Sequence, residues 1–161
     1  MTDLNKFTGP LFLTHKEIKK VIELMFFSYR DFTSGPDEIL DKIKFGRAHH
    51  RVIYFIAKRK QITIRDLLSI LQITKQSLSR VLNQLVKEKY VLVLSGEDKR
   101  TKKLSLTSKG IDLENKLSLI QIKKIRNIIK NANENDINGF KKILYALIDK
   151  KNQIKFDQLN I

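Results

Sequence analysis

Apolar residues in this chain recur mostly three and four positions apart, the period of a helix, and change to alternation in one short stretch only. Thr14-His15-Lys16-Glu17 has the spacing of a capping box, with Leu13 and Ile18 placed as a hydrophobic staple, so a helix is expected to start near His15. It carries Ile18, Val21, Ile22, Met25 and Phe26 on one side, and Leu24, Phe27 and Tyr29 widen the apolar surface beyond one core-facing stripe. Ser34-Gly35-Pro36 before Asp37 and Glu38 reads as a stop and a restart, with a short helix to about Lys44. Residues 47–58 follow as an amphipathic helix, with His49, Val52, Ile53 and Ile56 on one face and Arg47, Arg51, Tyr54 and Lys58 on the other.

Two short helical patterns come next in quick succession. Thr63-Ile64-Arg65-Asp66 supplies a cap for a helix ending near Leu71, and Thr74 can cap a second helix from Lys75 to about Lys87. Such a pair fits helix-turn-helix geometry. The period then becomes two: Val91 and Val93, and again Leu104 and Leu106, flank a charged tip at residues 96–100, which predicts a hairpin wing. Thr107 can cap a helix repeating Leu113, Leu117, Ile120, Ile125, Ile128 and Ile129. An Asn-rich break at residues 131–138 precedes a last helix with Ile137, Phe140, Ile143, Leu144, Leu147 and Ile148.

The expected fold is therefore mainly α with a small β-hairpin wing: a winged helix-turn-helix over residues 47–110, an N-terminal arm and helices over 1–46, and C-terminal helices over 111–161, all in one compact domain. The terminal helices carry more apolar surface than one small winged domain covers, and a homodimer with interlocked terminal helices would bury it.

Length, 161 residues, suits a single domain, and 42% hydrophobic residues with only 2 Pro and 6 Gly suit a globular one. Charge adds more. Lys and Arg number 32 against 17 Asp and Glu, a net +15 that favours a polyanion as partner, nucleic acid before an anionic membrane surface. Nine basic and three acidic side chains fall within residues 74–110, so the charge density peaks at the expected helix-turn-helix and wing.

Zero Cys excludes disulfides, thiolate metal sites and thiol-based sensing. His49 and His50 are adjacent, about 100° apart on a helix, and cannot ligate one metal through i, i+4 geometry. Neither an HExxH, a Gly-rich phosphate loop nor a GxSxG is present, so the expectation is no enzyme, no catalytic residue, no cofactor and no metal. The N-terminus lacks an apolar targeting core, and the longest uncharged apolar run, residues 52–57, is far short of a membrane span. A cytoplasmic protein with no membrane partner is expected.

The second helix of the motif divides sharply. Leu78, Val81, Leu82 and Leu85 form the stripe to be buried, which leaves Lys75, Gln76, Ser77, Ser79, Arg80, Asn83 and Gln84 at or near the outer face, behind the cap Thr74. Donor-rich side chains of these types read base edges or hold phosphates in a major groove, Gln suiting adenine and Arg guanine. Lys99, Arg100 and Lys102 extend the basic set into the wing; an arginine at a wing tip can enter a narrow minor groove, and Asp98 could hold Arg100 in place.

Taken together, Ser77-Leu78-Ser79-Arg80 with Leu82, Leu85 and Val91, then Asp98-Lys99-Arg100 and Leu106-Thr107-Ser108-Lys109-Gly110, resemble the multiple antibiotic resistance regulator (MarR) family in both motif and spacing. Gly46-Arg47-Ala48-His49-His50-Arg51 resembles its PetP-like branch. The resemblance implies a dimeric winged-helix transcriptional regulator of pseudo-palindromic operators, often a repressor and often released by a small anionic or phenolic ligand. It implies that Ser77, Ser79 and Arg80 belong to the recognition helix and that Arg100, positioned by Asp98, meets the minor groove. A ligand pocket between the dimerisation helices and the DNA-binding lobe would draw on Tyr29, Arg47, His50 and Arg51. One departure is Lys89, which stands where many relatives have Gly at the end of the recognition helix. The competing expectation is a nonspecific architectural protein that binds DNA or RNA through its basic surface alone; against RNA, most of the 9 Phe and 4 Tyr fall in predicted helices rather than on a sheet.

Overall fold

The computed structural model of the chain describes residues 14–96 and 101–159. It divides between Ser34 and Gly35 into two units. The helix α1, His15–Lys42, runs through that boundary. Its start is a capping box: the Thr14 amide and hydroxyl donate to the Glu17 carboxylate at 2.7 and 2.8 Å, and these bonds hold the Glu17 carboxyl below the usual carboxylate range. Leu13, the other half of the expected staple, lies outside the described residues. In this first unit Val21, Ile22, Leu24, Met25, Phe26, Phe27 and Tyr29 are all exposed.

The expected stop at Ser34-Gly35-Pro36 does not occur, and Pro36 lies inside α1. Proline removes one helical hydrogen bond. Packing outweighs that loss: Pro36 is fully buried, and Gly35 passes so close to the Ile120 side chain that a Cβ would sit 2.7 Å from it. Chain reversal comes instead at residues 43–46, where Lys44 adopts φ 57°.

The second unit carries the remaining elements: α2 (Arg47–Lys58), β1 (Ile62–Thr63), α3 (Ile64–Leu71), α4 (Lys75–Lys87), β2 (Val91–Ser95), β3 (Lys102–Leu106), α5 (Ser108–Ile129), α6 (Glu134–Ala146) and α7 (Lys150–Leu159). Three threonines start three helices as the sequence predicts. The side chains of Thr63, Thr74 and Thr107 accept from the amides of Asp66, Ser77 and Gly110. Asn133 caps α6 in the same way, so the Asn-rich break is real but ends within that segment.

The sheet has three antiparallel strands in the order β1-β3-β2, with Val91 opposite Leu106 and Ile62 opposite Leu104. Two-residue β1 carries no signal of its own and exists as the partner of β3. Along β2 only Val91 is buried; Val93, expected to alternate inward with it, is exposed on this edge strand although its partner Leu104 on β3 is fully buried.

The core joins Leu40 of α1 and Phe45 to Val52, Ile53 and Ile56 of α2, Leu67 of α3, the stripe Leu78, Val81, Leu82 and Leu85 of α4, the sheet residues Ile62, Val91 and Leu104, and Leu113 and Leu117 of α5. Neither α6 nor α7 contributes a buried residue. The single last helix expected from the sequence is two: α6 ends at Ala146, and the Gln153 side chain of α7 donates back to the Tyr145 and Ile148 carbonyls, satisfying acceptors that a continuous helix would have used itself.

Candidate nucleic-acid interface

Gln72 ends α3 in the left-handed conformation, φ 52°, and its amide donates to the Leu68 carbonyl; after two further residues Thr74 opens α4. This tight turn fixes the helix-turn-helix pair. With its apolar stripe buried, α4 turns Lys75, Gln76, Ser77, Ser79, Arg80 and Asn83 to solvent. No carboxylate occurs from Thr74 to Lys87. Thr74 itself serves as the cap, and its hydroxyl also donates to the Ser77 hydroxyl at 2.9 Å.

Gln84 is the member of the predicted reading set that the fold takes away. It is half-buried; its Nε2 donates to the Lys44 carbonyl at 3.2 Å, and its Oε1 lies 2.8 Å from His49 Nε2. Both polar ends of the side chain are thereby engaged within the protein.

The hairpin projects beside this helix-turn-helix. Lys102 is exposed on β3, and next to it Lys103 Nζ reaches Gln61 Oε1 at 3.2 Å. The Gly96 amide donates to the Thr101 carbonyl across the base of the tip. Asp98, Lys99 and Arg100, the predicted wing contacts, lie outside the described residues.

A clamp between the end of α4 and the start of α5 sets the wing's base. Lys89 has φ 61°, a left-handed conformation, and its carbonyl accepts from the Thr107 hydroxyl at 2.7 Å. The Thr107 amide donates to the Tyr90 carbonyl, Lys109 Nζ donates to the Glu88 carbonyl, and the same ammonium sits 4.1 Å from the Tyr90 ring centre. Gly110 lies so close to this turn that a Cβ would sit 2.2 Å from the Tyr90 carbonyl oxygen. The Leu106-Thr107-Ser108-Lys109-Gly110 motif is thus a joint between α4 and the wing, in which Thr107, Lys109 and Gly110 are each set by a contact.

The predicted ligand set is split. Tyr29 belongs to the N-terminal unit, whereas Arg47, His50 and Arg51 share α2. Arg47 pairs with Asp37 at 2.8 Å, so one cation of the set already holds a carboxylate. Burial pushes the His50 imidazole below its ordinary value, the Glu114 and Asp37 carboxylates oppose that shift, and Arg51 adds to it. A different cleft, of about 320 Å³, opens between α2, the end of α3 and α7, lined by Tyr54, Phe55, Lys58, Ile70, Phe156 and Leu159 among others. Lys155 at its wall donates to the Ser69 carbonyl at 3.0 Å. Nothing in the linear pattern joins residues 54–72 to 148–159, so sequence reasoning could not find it. Among the described residues no cluster of three or more His, Cys, Asp or Glu could hold a metal ion, and no helix is long and apolar enough to cross a membrane.

Known proteins agree with this architecture. Residues 44–101 match the MarR family. Over 140 residues the chain is 45% identical to the HTH-type transcriptional regulator PetP of Rhodobacter capsulatus, covering 86% of this chain and 84% of that protein. Among solved structures it resembles Streptococcus pneumoniae FabT in complex with DNA, with a TM-score of 0.72 at 20% identity over 81% of this chain and 94% of that one. It also resembles a point mutant of MarR from E. coli complexed with operator DNA, with a TM-score of 0.65 at 21% identity over 88% of this chain and all of the other. With 45% identity over 86% of its length, and with residues 44–101 matching the family, this protein belongs to the MarR family of transcriptional regulators.

Proposed function

We propose that the protein is a sequence-reading, double-stranded-DNA-binding repressor that acts as a homodimer on a pseudo-palindromic operator. The observation that carries this is the outer face of α4: Lys75, Gln76, Ser77, Ser79, Arg80 and Asn83 exposed together, with the apolar stripe holding them outward and no carboxylate among them. Lys and Arg there neutralise phosphates, while Gln, Asn and Arg can read base edges, so specificity and affinity come from one surface. Asp98, Lys99, Arg100 and Lys102 extend the contact to the flanking groove, as the wing's position in sequence suggests.

The dimer is supported by apolar surface that the single chain leaves uncovered. Phe26 on α1 is 72% exposed, Ile128 on α5 63% and Ile143 on α6 64%, with Phe140, Leu144 and Leu147 beside the last. Residues 1–46 and 111–161 would pair between copies and hold two 47–110 regions about 34 Å apart, one turn of DNA. A small effector, no catalytic activity and a cytoplasmic setting complete the reading.

The test is binding of the purified protein to a duplex from its own upstream region and to a scrambled duplex, titrated against salt. The expected result is a steep salt dependence with clear preference for the native duplex. Equal affinity for both would favour the nonspecific architectural alternative.

A further inference from the structure

We propose that His49 is a positioning residue for DNA readout: locked in one tautomer by a backbone amide, it holds Gln84 and so fixes the setting of the recognition helix. The inference rests on α4 being the reading helix, as proposed above. Gly46, the residue that opens α2, donates its amide to His49 Nδ1 at 3.1 Å. A backbone N–H can only donate, so Nδ1 must present its lone pair and the ring proton sits on Nε2. That nitrogen lies 2.8 Å from Gln84 Oε1, which therefore accepts, and the amide's other end, Nε2, donates to the Lys44 carbonyl at 3.2 Å. Each link is set by the one before it, and the chain of bonds closes on the same α1–α2 connection from which it starts.

The ring cannot easily turn away. It stacks on Phe45 with centroids 4.5 Å apart and planes 3° from parallel, and Phe45, buried, meets Tyr90 edge-on at 5.1 Å. Apolar contacts along Leu78, Val81, Leu82 and Leu85 keep α4 against the core but are non-directional. The His49–Gln84 bond is directional, and it acts next to Asn83 and one turn from Arg80, both exposed. It therefore defines the rotation at which those side chains face a groove, and ties that rotation to the end of α1.

The experiment uses the full-length protein, the upstream and scrambled duplexes, and four variants. His49→Phe keeps a ring for the Phe45 stack and removes both hydrogen bonds; Gln84→Leu removes the partner; the third combines the two. His49→Gln keeps an acceptor for the Gly46 amide and a donor for Gln84, at a position where a helix normally uses such a side chain to cap itself. Each single loss is expected to lower the preference for the upstream duplex about fivefold to tenfold, the double variant no further than one single, and His49→Gln to retain the preference. Nitrogen-15 spectra of the free wild type should show a bare Nδ1 and a protonated Nε2, and Gln84→Leu, which leaves the Gly46 amide in place, should keep that form. An unchanged preference in a folded His49→Phe variant, additive losses in the double variant, or the opposite tautomer in the wild type would overturn the inference. A wild type that does not discriminate between the duplexes, with the Nε2–H tautomer present, would instead remove the DNA-reading assignment on which the inference stands.

Discussion

The Thr107 hydroxyl donates to the carbonyl of Lys89 at 2.7 Å, across the joint between α4 and the helix that follows the wing. Thr107 also caps α5 by accepting from the Gly110 amide, and Lys89 holds a left-handed backbone, φ 61°. One side chain therefore stabilises a helix start and the strained residue after α4 at once.

A left-handed backbone costs an L-residue about 1–2 kcal/mol, and glycine adopts it without a Cβ clash. Lys89→Gly is therefore expected to raise stability by up to about 1 kcal/mol, after the larger entropy that glycine loses on folding. Thr107→Ala, which removes the cap and the bond to Lys89, should lower it by about 1–2 kcal/mol. Urea denaturation followed by circular dichroism measures both, and a destabilised Lys89→Gly would contradict the strain at this residue.

Gly110→Ala places a methyl group on the Tyr90 carbonyl oxygen, backbone that cannot swing aside. The expected cost is about 1–3 kcal/mol or more, because α5 must move off the wing's base. Thermal unfolding would show it as a fall of several degrees in Tm, whereas the same substitution at Gly139, where nothing lies within 4 Å, should not lower Tm.

Arg80 is exposed in the middle of the proposed reading face. Arg80→Ala is expected to weaken binding to the upstream duplex by about 1–3 kcal/mol if the guanidinium meets a base, or to reduce the salt slope by about one if it meets a phosphate. Fluorescence anisotropy at several salt concentrations separates these outcomes, and a curve superimposable on the wild type's would remove Arg80 from the interface.

Leu144, 45% exposed on α6, lies on the face proposed to pair between copies. Leu144→Asp should give a folded chain that sediments as a monomer and has lost its affinity for the upstream duplex. Weak DNA binding by an intact dimer would break the link between pairing and readout.

His50 gives a pH dependence of known sign. Its folded value lies below the ordinary 6.5, because burial disfavours the imidazolium, so the unfolded chain takes up the proton first. Its contribution to stability is complete above about pH 6.5 and is lost as the pH falls from there through the folded value. Urea midpoints at about pH 7.5 and about pH 5.5 should differ more for the wild type than for His50→Gln. Equal differences would show that His50 does not carry this dependence.

Thr63, Thr74 and Thr107 were legible as caps because a cap is decided within four residues, and the stripe of α4 was legible because burial of one face imposes a period. Local chemistry of this kind placed the helix-turn-helix, the hairpin and the exposed, basic outer face of α4 in the sequence, and the Ser77-Leu78-Ser79-Arg80 and Leu106-Thr107-Ser108-Lys109-Gly110 segments carried the family resemblance.

Tertiary structure decided the rest, wherever a partner far along the chain outweighed a local preference. Pro36 stays helical because Gly35 packs against Ile120, and β1 is a strand because β3 lies beside it. Gln84 looks like a reading residue from the helical wheel alone, and becomes an internal strut because His49, 35 positions earlier, folds back to meet it. A helical period determines which residues share a face, but which of them reach solvent depends on what the rest of the chain sets against that face, and only packing at a distance supplies it.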